Sequence, residues 1–278
     1  MNLFSFLKAS ELRNIDPSSA EYLSIQRNII LSRKLVRETY LHWYRLMMDA
    51  LENYGNPIQS ASLEFGSGGG FLKNVMPEVV TSDIIPVSGV DCVVDARTIP
   101  MRDNSLGAIF MTHVFHHIPD VESFFREASR TLAPGGIIAM VDVAATPFAR
   151  FFFSNFHPEP FLPEVTEWRF SQADAMLDSN QALTWIVFKR DIAKFHRLYP
   201  EFEVCEIRLL PWFSYFVSGG VTKPYLIPDI LTPLVLLVDR ILTPLNRIFA
   251  LHWFIVVRKR AGTVALQTQV PIRVAKND

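Results

Sequence analysis

Four glycines occupy positions 66 and 68–70, directly after a short apolar run that ends at Phe65. Glycine loses much conformational freedom on folding, so such a cluster indicates backbone that turns tightly or lets a ligand approach closely. The preceding residues, ASLEF, are typical of a buried strand. A strand that leads into a glycine-rich turn predicts an α/β fold with a nucleotide-type ligand at the carboxyl end of that strand.

Apolar segments of strand length alternate with helical patterns along the first half of the chain. The predicted strands are Ala61–Phe65, Val79–Ile84, Asp91–Asp95, Ala108–Val114 and Ile137–Val143. A helix is predicted over Val121–Leu132, with Asp120 as its N-cap. A further helical stretch begins at the capping pattern S-x-x-E, 18–21, and continues to about Tyr54. This alternation predicts a parallel sheet with helices on both faces.

Composition excludes several classes of protein and site. The 278 residues carry a formal net charge of −1, which argues against a nucleic-acid partner. Cys92 and Cys205 are far apart and form no CxxC pair, so we expect a reducing compartment and no zinc site. No charge-free apolar run reaches the ~18 residues of a spanning helix. These features predict a cytoplasmic protein.

The residues around the glycines restrict the ligand. A dinucleotide fingerprint needs a third glycine where this chain has Phe71, which disfavours a nicotinamide-dependent oxidoreductase. A phosphate-binding P-loop is excluded as well, because Lys73 is not followed by serine or threonine. Glu64 lies at the strand end, and the sequence places no arginine or lysine beside the loop. A carboxylate there suits a ligand that carries a positive charge.

Two further acids end the next two predicted strands. Asp83 ends the second strand, where an acid can accept hydrogen bonds from both hydroxyls of a ribose. Asp95 ends the third strand, where a carboxylate can accept from an exocyclic amino group such as that of adenine. An amine-bearing end, a ribose and an adenine without a phosphate together describe S-adenosylmethionine.

The stretch from about Ser62 to Val143 resembles the class I S-adenosylmethionine-dependent methyltransferases, in particular the type-11 group. The matching segments are LEFGSGGG, TSDI, VVDARTIPMRDNSLGAIFMTHVFHHIPD and FFREASRTLAPGGIIAMVD, in the order and spacing of that family. The resemblance implies a methyltransferase with S-adenosylmethionine as its cofactor. It also implies that the cofactor contacts the glycine loop and the ends of the following strands, at Glu64, Gly66, Ser67, Gly68, Gly70, Asp83, Ile84, Asp95, Ala96, Thr112 and His113.

The same resemblance implies the architecture of the whole chain. The expected fold is an α/β, Rossmann-like sheet of seven strands, mostly parallel, with helices on both faces and the last strand antiparallel. Phe202–Leu210 and Trp253–Arg258 are then the sixth and seventh strands.

We expect three parts in the chain. Residues 1–57 are predicted to be an N-terminal helical extension, 58–260 the methyltransferase domain, and 261–278 a C-terminal tail. Within the domain we expect an acceptor-side insertion at 146–200 and an apolar insertion at 211–250.

The acceptor-side insertion opens with TPFARFFFSNFHPEPF, 146–161, which we predict to be too irregular for one helix. It can form an apolar wall over an acceptor or a second small core. A helix is predicted over 182–200. The candidate acceptor-binding residues in this insertion are His157, Glu159, Trp168, Asn180 and Trp185.

Three histidines, His113, His116 and His117, follow the fourth strand. A histidine with a near-neutral pKa can take a proton from an acceptor hydroxyl, so these are the candidate catalytic residues. Packing or simple hydrogen bonding is the alternative role. Their spacing straddles a strand end instead of one helix face, so no metal site is predicted.

The apolar insertion contains many aliphatic residues among Pro224, Pro228, Pro233 and Pro244, and Asp229, Asp239 and Arg240 interrupt it. It is therefore not expected to span a membrane. Peripheral contact of 212–250 with a bilayer, packing against the sheet, and contact with a second subunit of a homo-oligomer are the three expectations.

Methyl transfer from a sulfonium is an in-line displacement, in which alignment of the reacting atoms supplies most of the rate. The leading hypothesis is therefore O- or C-methylation of a small acceptor, free or linked to a lipid or sugar. A non-catalytic S-adenosylmethionine-binding or scaffolding module is the alternative, and a nicotinamide-dependent oxidoreductase is the third.

Overall fold

The computed structural model describes residues 8–56, 61–174, 178–225 and 227–261. Seven strands form a sheet with the order β3-β2-β1-β4-β5-β7-β6. Neighbouring strands from β3 to β5 pair in parallel, whereas β7 is antiparallel to both β5 and β6, so the predicted fold class is confirmed. The strands are β1 (Ala61–Phe65), β2 (Val80–Asp83), β3 (Cys92–Val93), β4 (Leu106–Thr112), β5 (Leu132–Val143), β6 (Phe202–Leu209) and β7 (His252–Lys259).

Helices cover both faces of this sheet. Because β1 and β4 are neighbours, their carboxyl ends meet where the strand order reverses, which is the place where α/β sheets bind ligands. The helices are α1 (Ala20–Ser32), α2 (Lys34–Tyr54), α3 (Val121–Thr131), α4 (Pro147–Phe156), α5 (Leu183–Trp185), α6 (Ile192–Leu198), α7 (Phe213–Ser218), α8 (Thr232–Leu242) and α9 (Asn246–Phe249).

The N-terminal helices pack on one face of the sheet. Ser19 caps α1 by accepting a hydrogen bond from the Tyr22 N–H, one residue later than the predicted pattern begins. Extended backbone at Arg33 separates α1 from α2. Trp43 and Tyr44 of α2 are buried in an apolar cluster with residues of β4, β5 and β7. The helical extension therefore contributes directly to the core.

Helix α3 supplies the centre of the core on the other face. Asp120 caps it as predicted, because its carboxylate accepts the Ser123 N–H. Phe124 and Phe125 are fully buried, and the Phe125 ring centroid lies 5.1 Å from that of Phe195 in α6. This packing ties the segment that follows β5 to the sheet.

The acceptor-side insertion differs from its prediction in two places. The stretch 146–161 is not irregular throughout, because α4 occupies most of it. Thr146 caps this helix, and Pro147 lies in its first turn, where a missing N–H costs nothing. Conversely, the single helix predicted over 182–200 is divided, with a π-helix at Ile186–Arg190 between α5 and α6.

The apolar insertion presents a hydrophobic face to solvent. Ile230 is 85% exposed, Leu234 56% and Ile241 67%. These side chains do not pack against the sheet, so contact with a bilayer or with a second subunit remains the expectation for them. No helix in the part of the chain described by the structure has both the length and the apolar character needed to cross a membrane.

Candidate active site

The glycine turn follows β1 directly. Gly66 has a φ of +66°, in the left-handed region that glycine adopts without strain. A Cβ atom at this position would lie 2.3 Å from Cγ2 of Val114, in the segment that follows β4. The turn continues as a 3-10 helix at Ser67–Gly69. Glycine therefore lets the ends of β1 and β4 approach more closely than a side chain would permit.

A Gly66→Ala variant is expected to lower the free energy of unfolding by about 2–4 kcal/mol. Alanine is strained in the left-handed backbone conformation of residue 66, and its Cβ would collide with Val114. Urea denaturation followed by circular dichroism measures the change. Gly69→Ala is the matched control, since its Cβ would meet only the Gln26 side chain, at 3.3 Å. That variant is expected to change stability by less than about 1 kcal/mol. Equal losses in the two variants would contradict the special role of Gly66.

Glu64 is buried at the end of β1. Its Oε2 atom has no hydrogen-bond partner among the described residues. Burial raises the pKa of Glu64 to about 7, and the Ser67 hydroxyl and the Arg27 guanidinium offset this only in part. A buried carboxylate oxygen without a partner is costly unless a ligand supplies a donor or a cation.

Asp83 ends β2 and reaches the same turn. Its Oδ2 accepts the Gly68 N–H at 2.9 Å, and its Oδ1 accepts the Ile85 N–H at 3.4 Å. Burial raises the pKa of Asp83, although these backbone bonds oppose the increase. Because a carboxylate has about four acceptor sites, Asp83 keeps capacity for the hydroxyls of a ribose.

Asp95 follows β3 at the same edge of the sheet. Its carboxylate already accepts hydrogen bonds from Arg97. The Arg97 side chain donates from Nε at 2.9 Å and from Nη2 at 2.6 Å, and its backbone N–H donates at 2.8 Å. Burial would raise the pKa of Asp95, but the bonds to Arg97 lower it. Adenine recognition by Asp95 requires Arg97 to release part of this pairing, and it stays a prediction. Cofactor contacts of exposed Ile84 and half-buried Ala96 stay predictions as well.

Helix α1 brings a cation to the glycine turn. The sequence places no arginine or lysine beside the loop, but Arg27 donates to the carbonyls of Ser67 and Ser88, at 3.3 Å each. Sequence reasoning missed this residue because it comes from the N-terminal extension. The turn is therefore bordered by an arginine as well as by two acids.

Helix α1 also limits the space at the turn. A cavity of about 110 Å³ borders Glu64, Ser67 and Gly70. Leu23 covers the other side of the turn, with Cδ1 only 2.7 Å from where a Cβ of Gly68 would lie. Small-molecule sites usually enclose about 300 Å³ or more. This cavity is therefore smaller than a usual small-molecule site.

Thr112 ends β4, and its buried Oγ1 has no partner among the described residues. His113 follows with a φ of +58°, and its ring lies 5.3 Å from Trp43 and 4.6 Å from His252. Burial lowers the pKa of His113 to about 4, so the ring is neutral at pH 7. Cofactor contact and proton abstraction by His113 stay predictions.

His116 is held between two carboxylates. Its Nδ1 lies 2.6 Å from Asp142 Oδ1, and its Nε2 lies 3.3 Å from Glu159 Oε2. Burial alone would lower the pKa of His116, but the two carboxylates outweigh it and raise the pKa to about 10. A protonated ring has no free lone pair, so in this state His116 does not act as the base that the sequence suggests.

Glu159 lies at the centre of a wider polar cluster. Its Oε2 is 3.6 Å from His117 Nε2, and it accepts hydrogen bonds from Ser179 Oγ at 2.8 Å and from Gln181 Nε2. Burial lowers the pKa of His117 to about 4. Burial would raise the pKa of Glu159, but the surrounding histidines lower it. The histidine–carboxylate cluster, as we name it, consists of His116, His117, Asp142, His157, Glu159 and Gln181.

Residues 63–140 match the sequence model of a family described as a methyltransferase domain. The match contains the glycine turn, both acids that border it, and the histidines that follow β4. Residues 63–140 are a methyltransferase domain. The predicted resemblance to class I S-adenosylmethionine-dependent methyltransferases is thereby confirmed, together with the enzyme class and the cofactor that it implies.

Solved structures with a similar chain path include three proteins of low sequence identity. The YcgJ protein from Bacillus subtilis is 17% identical, with a TM-score of 0.45 and coverage of 80% of this chain and 99% of that one. Geranyl diphosphate C-methyltransferase from Streptomyces coelicolor A3(2), in complex with Mg²⁺, geranyl diphosphate and S-adenosyl-L-homocysteine, is 13% identical, with a TM-score of 0.45 and coverage of 88% and 86%. The PH0226 protein from Pyrococcus horikoshii OT3 is 15% identical, with a TM-score of 0.44 and coverage of 81% and 91%.

The residues of the methyltransferase domain fit the chemistry of S-adenosylmethionine. Glu64 offers an unpartnered oxygen to an ammonium group, and Asp83 offers acceptor sites to a ribose. Gly68 has no room for a side chain, because a Cβ would lie 2.8 Å from Asp83 Oδ2. The absence of that Cβ leaves room for the Asp83 carboxylate beside the turn.

Three predicted acceptor residues of the methyltransferase lie outside the histidine–carboxylate cluster. Trp168 is buried, and its Nε1 donates to Asp191 at 2.9 Å. The Asn180 side chain bonds to both the N–H and the carbonyl of Leu162, at 3.0 Å each. Trp185 packs against the apolar core. These contacts stabilise the insertion, and acceptor binding by the three residues stays a prediction.

The cluster also contains Asp142 and Gln181, which are not among the predicted site residues. Asp142 is the one charged residue in the apolar run IIAMVDV, at the end of a strand, which is the same signal that identified Asp83. Gln181 carries no such signal, because only folding brings it to Glu159.

Proposed function

We propose that this chain transfers the methyl group of S-adenosylmethionine to an oxygen or carbon atom of a small, partly apolar acceptor. The observation that carries the proposal is the buried, unpartnered carboxylate oxygen of Glu64 at a turn that Asp83 also reaches. Two acids at one turn repel a phosphate and attract a cation.

The chain's own residues match both charges at the amino-acid end of the cofactor. Glu64 pairs with the ammonium group, and Arg27, which already donates to the turn, pairs with the carboxylate. Asp83 accepts from the ribose. When bound, the cofactor would supply a sulfonium methyl as the group to be transferred. Alignment by these residues then provides most of the rate.

We propose that the acceptor binds beside the histidine–carboxylate cluster. His116, His117 and Asp142 of this cluster lie at the carboxyl ends of β4 and β5. Val114, in the same segment after β4, lies close to Gly66 of the glycine turn. The side chains of His117 and Glu159 are 19% and 14% exposed, so a ligand can reach them. The Phe153 ring, 5.5 Å from that of His157, gives the cluster an apolar border. Such a border suits an acceptor with one polar group on an apolar body.

The exposed face of the apolar insertion supports an acceptor at a membrane surface. Leu237 is 51% exposed and Ile248 47% exposed, which extends the hydrophobic face along α8 and α9. Arg240 of α8 and Arg247 of α9 are also exposed. Aliphatic and basic side chains together favour an anionic bilayer surface. We therefore propose a lipid or lipid-linked acceptor, with contact between two copies of the chain as the alternative role of this face.

Incubation of the purified chain with methyl-labelled S-adenosylmethionine and cell extracts tests the proposal. We expect label in the lipid fraction, at a rate that S-adenosylhomocysteine lowers. Label only in the water-soluble fraction would support methyl transfer but contradict the proposal of a lipid or lipid-linked acceptor. Binding of S-adenosylhomocysteine without transfer to either fraction would favour the non-catalytic module. A chain that binds no S-adenosylhomocysteine would overturn the whole proposal.

A further inference from the structure

Four polar groups surround one oxygen atom of Glu159. Its Oε2 is contacted by Ser179 Oγ at 2.8 Å, by Gln181 Nε2, by His116 Nε2 at 3.3 Å and by His117 Nε2 at 3.6 Å. A carboxylate oxygen has two lone pairs, so it cannot accept from all four. When one of these groups donates to the first lone pair, the second lone pair is available to an ion, toward which the two imidazole nitrogens can also present lone pairs.

We propose that His116 Nε2, His117 Nε2 and a carboxylate oxygen of Glu159 bind a divalent transition-metal ion. These three ligand atoms lie within 4.8 Å of one another. Ligands at about 2.0–2.1 Å from a tetrahedral ion are about 3.3 Å apart, which is close to both histidine–carboxylate distances, 3.3 and 3.6 Å. The ion would replace the proton that otherwise lies between His116 and Glu159. The sequence analysis predicts no metal site because the spacing of the histidines straddles a strand end; the third ligand, Glu159, comes from a distant segment.

Asp142 supports His116 in this role. It is fully buried, and its Oδ1 lies 2.6 Å from His116 Nδ1. A histidine that binds a metal through one nitrogen usually donates its other N–H to a carboxylate, which fixes the ring and makes the ligand more basic. The pair therefore leaves Nε2 as the nitrogen directed at Glu159. We therefore expect Asp142 to accept the Nδ1–H of His116 while Nε2 of the same ring binds the ion.

Two imidazoles and one carboxylate favour ions such as Zn²⁺ or Fe²⁺ over Mg²⁺ and Ca²⁺. Three protein ligands leave a coordination position for an oxygen of the acceptor, whose pKa falls when it binds there. Coordination of the acceptor to the ion rests on the proposed function and restricts the acceptor to one with a hydroxyl, phenol or enol oxygen. Binding of the ion itself does not depend on methyl transfer.

Cobalt provides a direct test, because Co²⁺ bound to nitrogen and oxygen ligands absorbs visible light. The full chain, freed of metal with a chelator, is titrated with Co²⁺ and then with Zn²⁺ or Mg²⁺. We expect one equivalent of Co²⁺ to bind, with displacement by Zn²⁺ and none by Mg²⁺. Absence of stoichiometric binding, or displacement by Mg²⁺ as readily as by Zn²⁺, would overturn the proposal.

Three variants locate the site. His117→Ala and Glu159→Gln are each expected to weaken Co²⁺ binding about 100-fold or more. His196→Ala, which removes an exposed histidine of α6, is the matched control and is expected to keep full affinity. Glu159→Gln preserves the shape of the side chain, so it decides the question if His117→Ala fails to fold by circular dichroism. Unchanged Co²⁺ affinity in folded Glu159→Gln would refute the site, whereas loss of S-adenosylhomocysteine binding alone would count only against the proposed function.

Discussion

An Asp83→Ala variant is expected to bind S-adenosylhomocysteine about 1000-fold more weakly than the unaltered chain. In the proposed complex this carboxylate accepts two hydrogen bonds from the ribose, each charge-assisted and worth roughly 1.5–3 kcal/mol. A loss of about 4 kcal/mol corresponds to a factor of roughly 1000 in Kd. Isothermal titration calorimetry near neutral pH measures the change.

The structure adds a second effect of this substitution. Asp83 accepts the Gly68 N–H at 2.9 Å, so alanine leaves a buried donor unsatisfied and should lower the free energy of unfolding by about 1–3 kcal/mol. Asp83→Asn keeps an oxygen for Gly68 and separates the two effects: we expect near-normal stability with roughly 10–100-fold weaker binding. Asp103→Ala, at an exposed acid paired with Arg130, is the control and should bind normally. Full affinity in folded Asp83→Ala would exclude the ribose contact.

Many of the strands and helices could be predicted, because short stretches of sequence determine where they form. Strands β4 and β5 contain long buried apolar runs, and β1 begins and ends at the predicted residues. The helix cap at Asp120 was also predicted, since a cap depends on residues within one turn. Helix α4 is not predicted, because 146–161 is judged too irregular for one helix, although Thr146 and Pro147 are good initiating residues.

The composition of the site depends on contacts between distant segments, which no local pattern records. Arg27 reaches the glycine turn only because α1 packs across it. His116 and Glu159 were each singled out, but their joint position with Asp142 follows from the pairing of β4 with β5 and from the course of the acceptor-side insertion. That joint position changes the chemistry: His116 is not a free base but a group held between two carboxylates.

The affinity for S-adenosylhomocysteine is expected to rise about tenfold per pH unit as the pH approaches 7 from below, and to level off above it. Burial holds the pKa of Glu64 at about 7 in the free protein, and only its carboxylate form pairs with the ammonium group. Below this pH, binding must release the Glu64 proton, and proton linkage gives a factor of about ten per unit. Calorimetric titrations across this range measure the profile.

Glu64→Gln removes the titrating group and is the matched variant. Its affinity should be low and almost independent of pH in the same range. Any slope that remains would belong to Asp83, whose pKa burial also raises. A full tenfold slope in Glu64→Gln would refute the assignment of the ammonium partner.

Ionisation of Glu64 should lower the stability of the free protein as the pH rises, whereas it should strengthen binding of S-adenosylhomocysteine. The unfolded Glu64 ionises near pH 4.5, whereas the folded one keeps its proton to about pH 7, so the unfolded state binds fewer protons between these values. Stability is therefore lost as the pH rises through this window, by on the order of 3 kcal/mol in total. Glu64→Gln avoids this cost, so above pH 7 it should unfold at higher urea concentration than the unaltered chain while binding the cofactor product more weakly. A variant that is less stable than the unaltered chain above pH 7 would mean that the carboxylate has a stabilising partner within the free protein, and the requirement for a cationic ligand would then disappear.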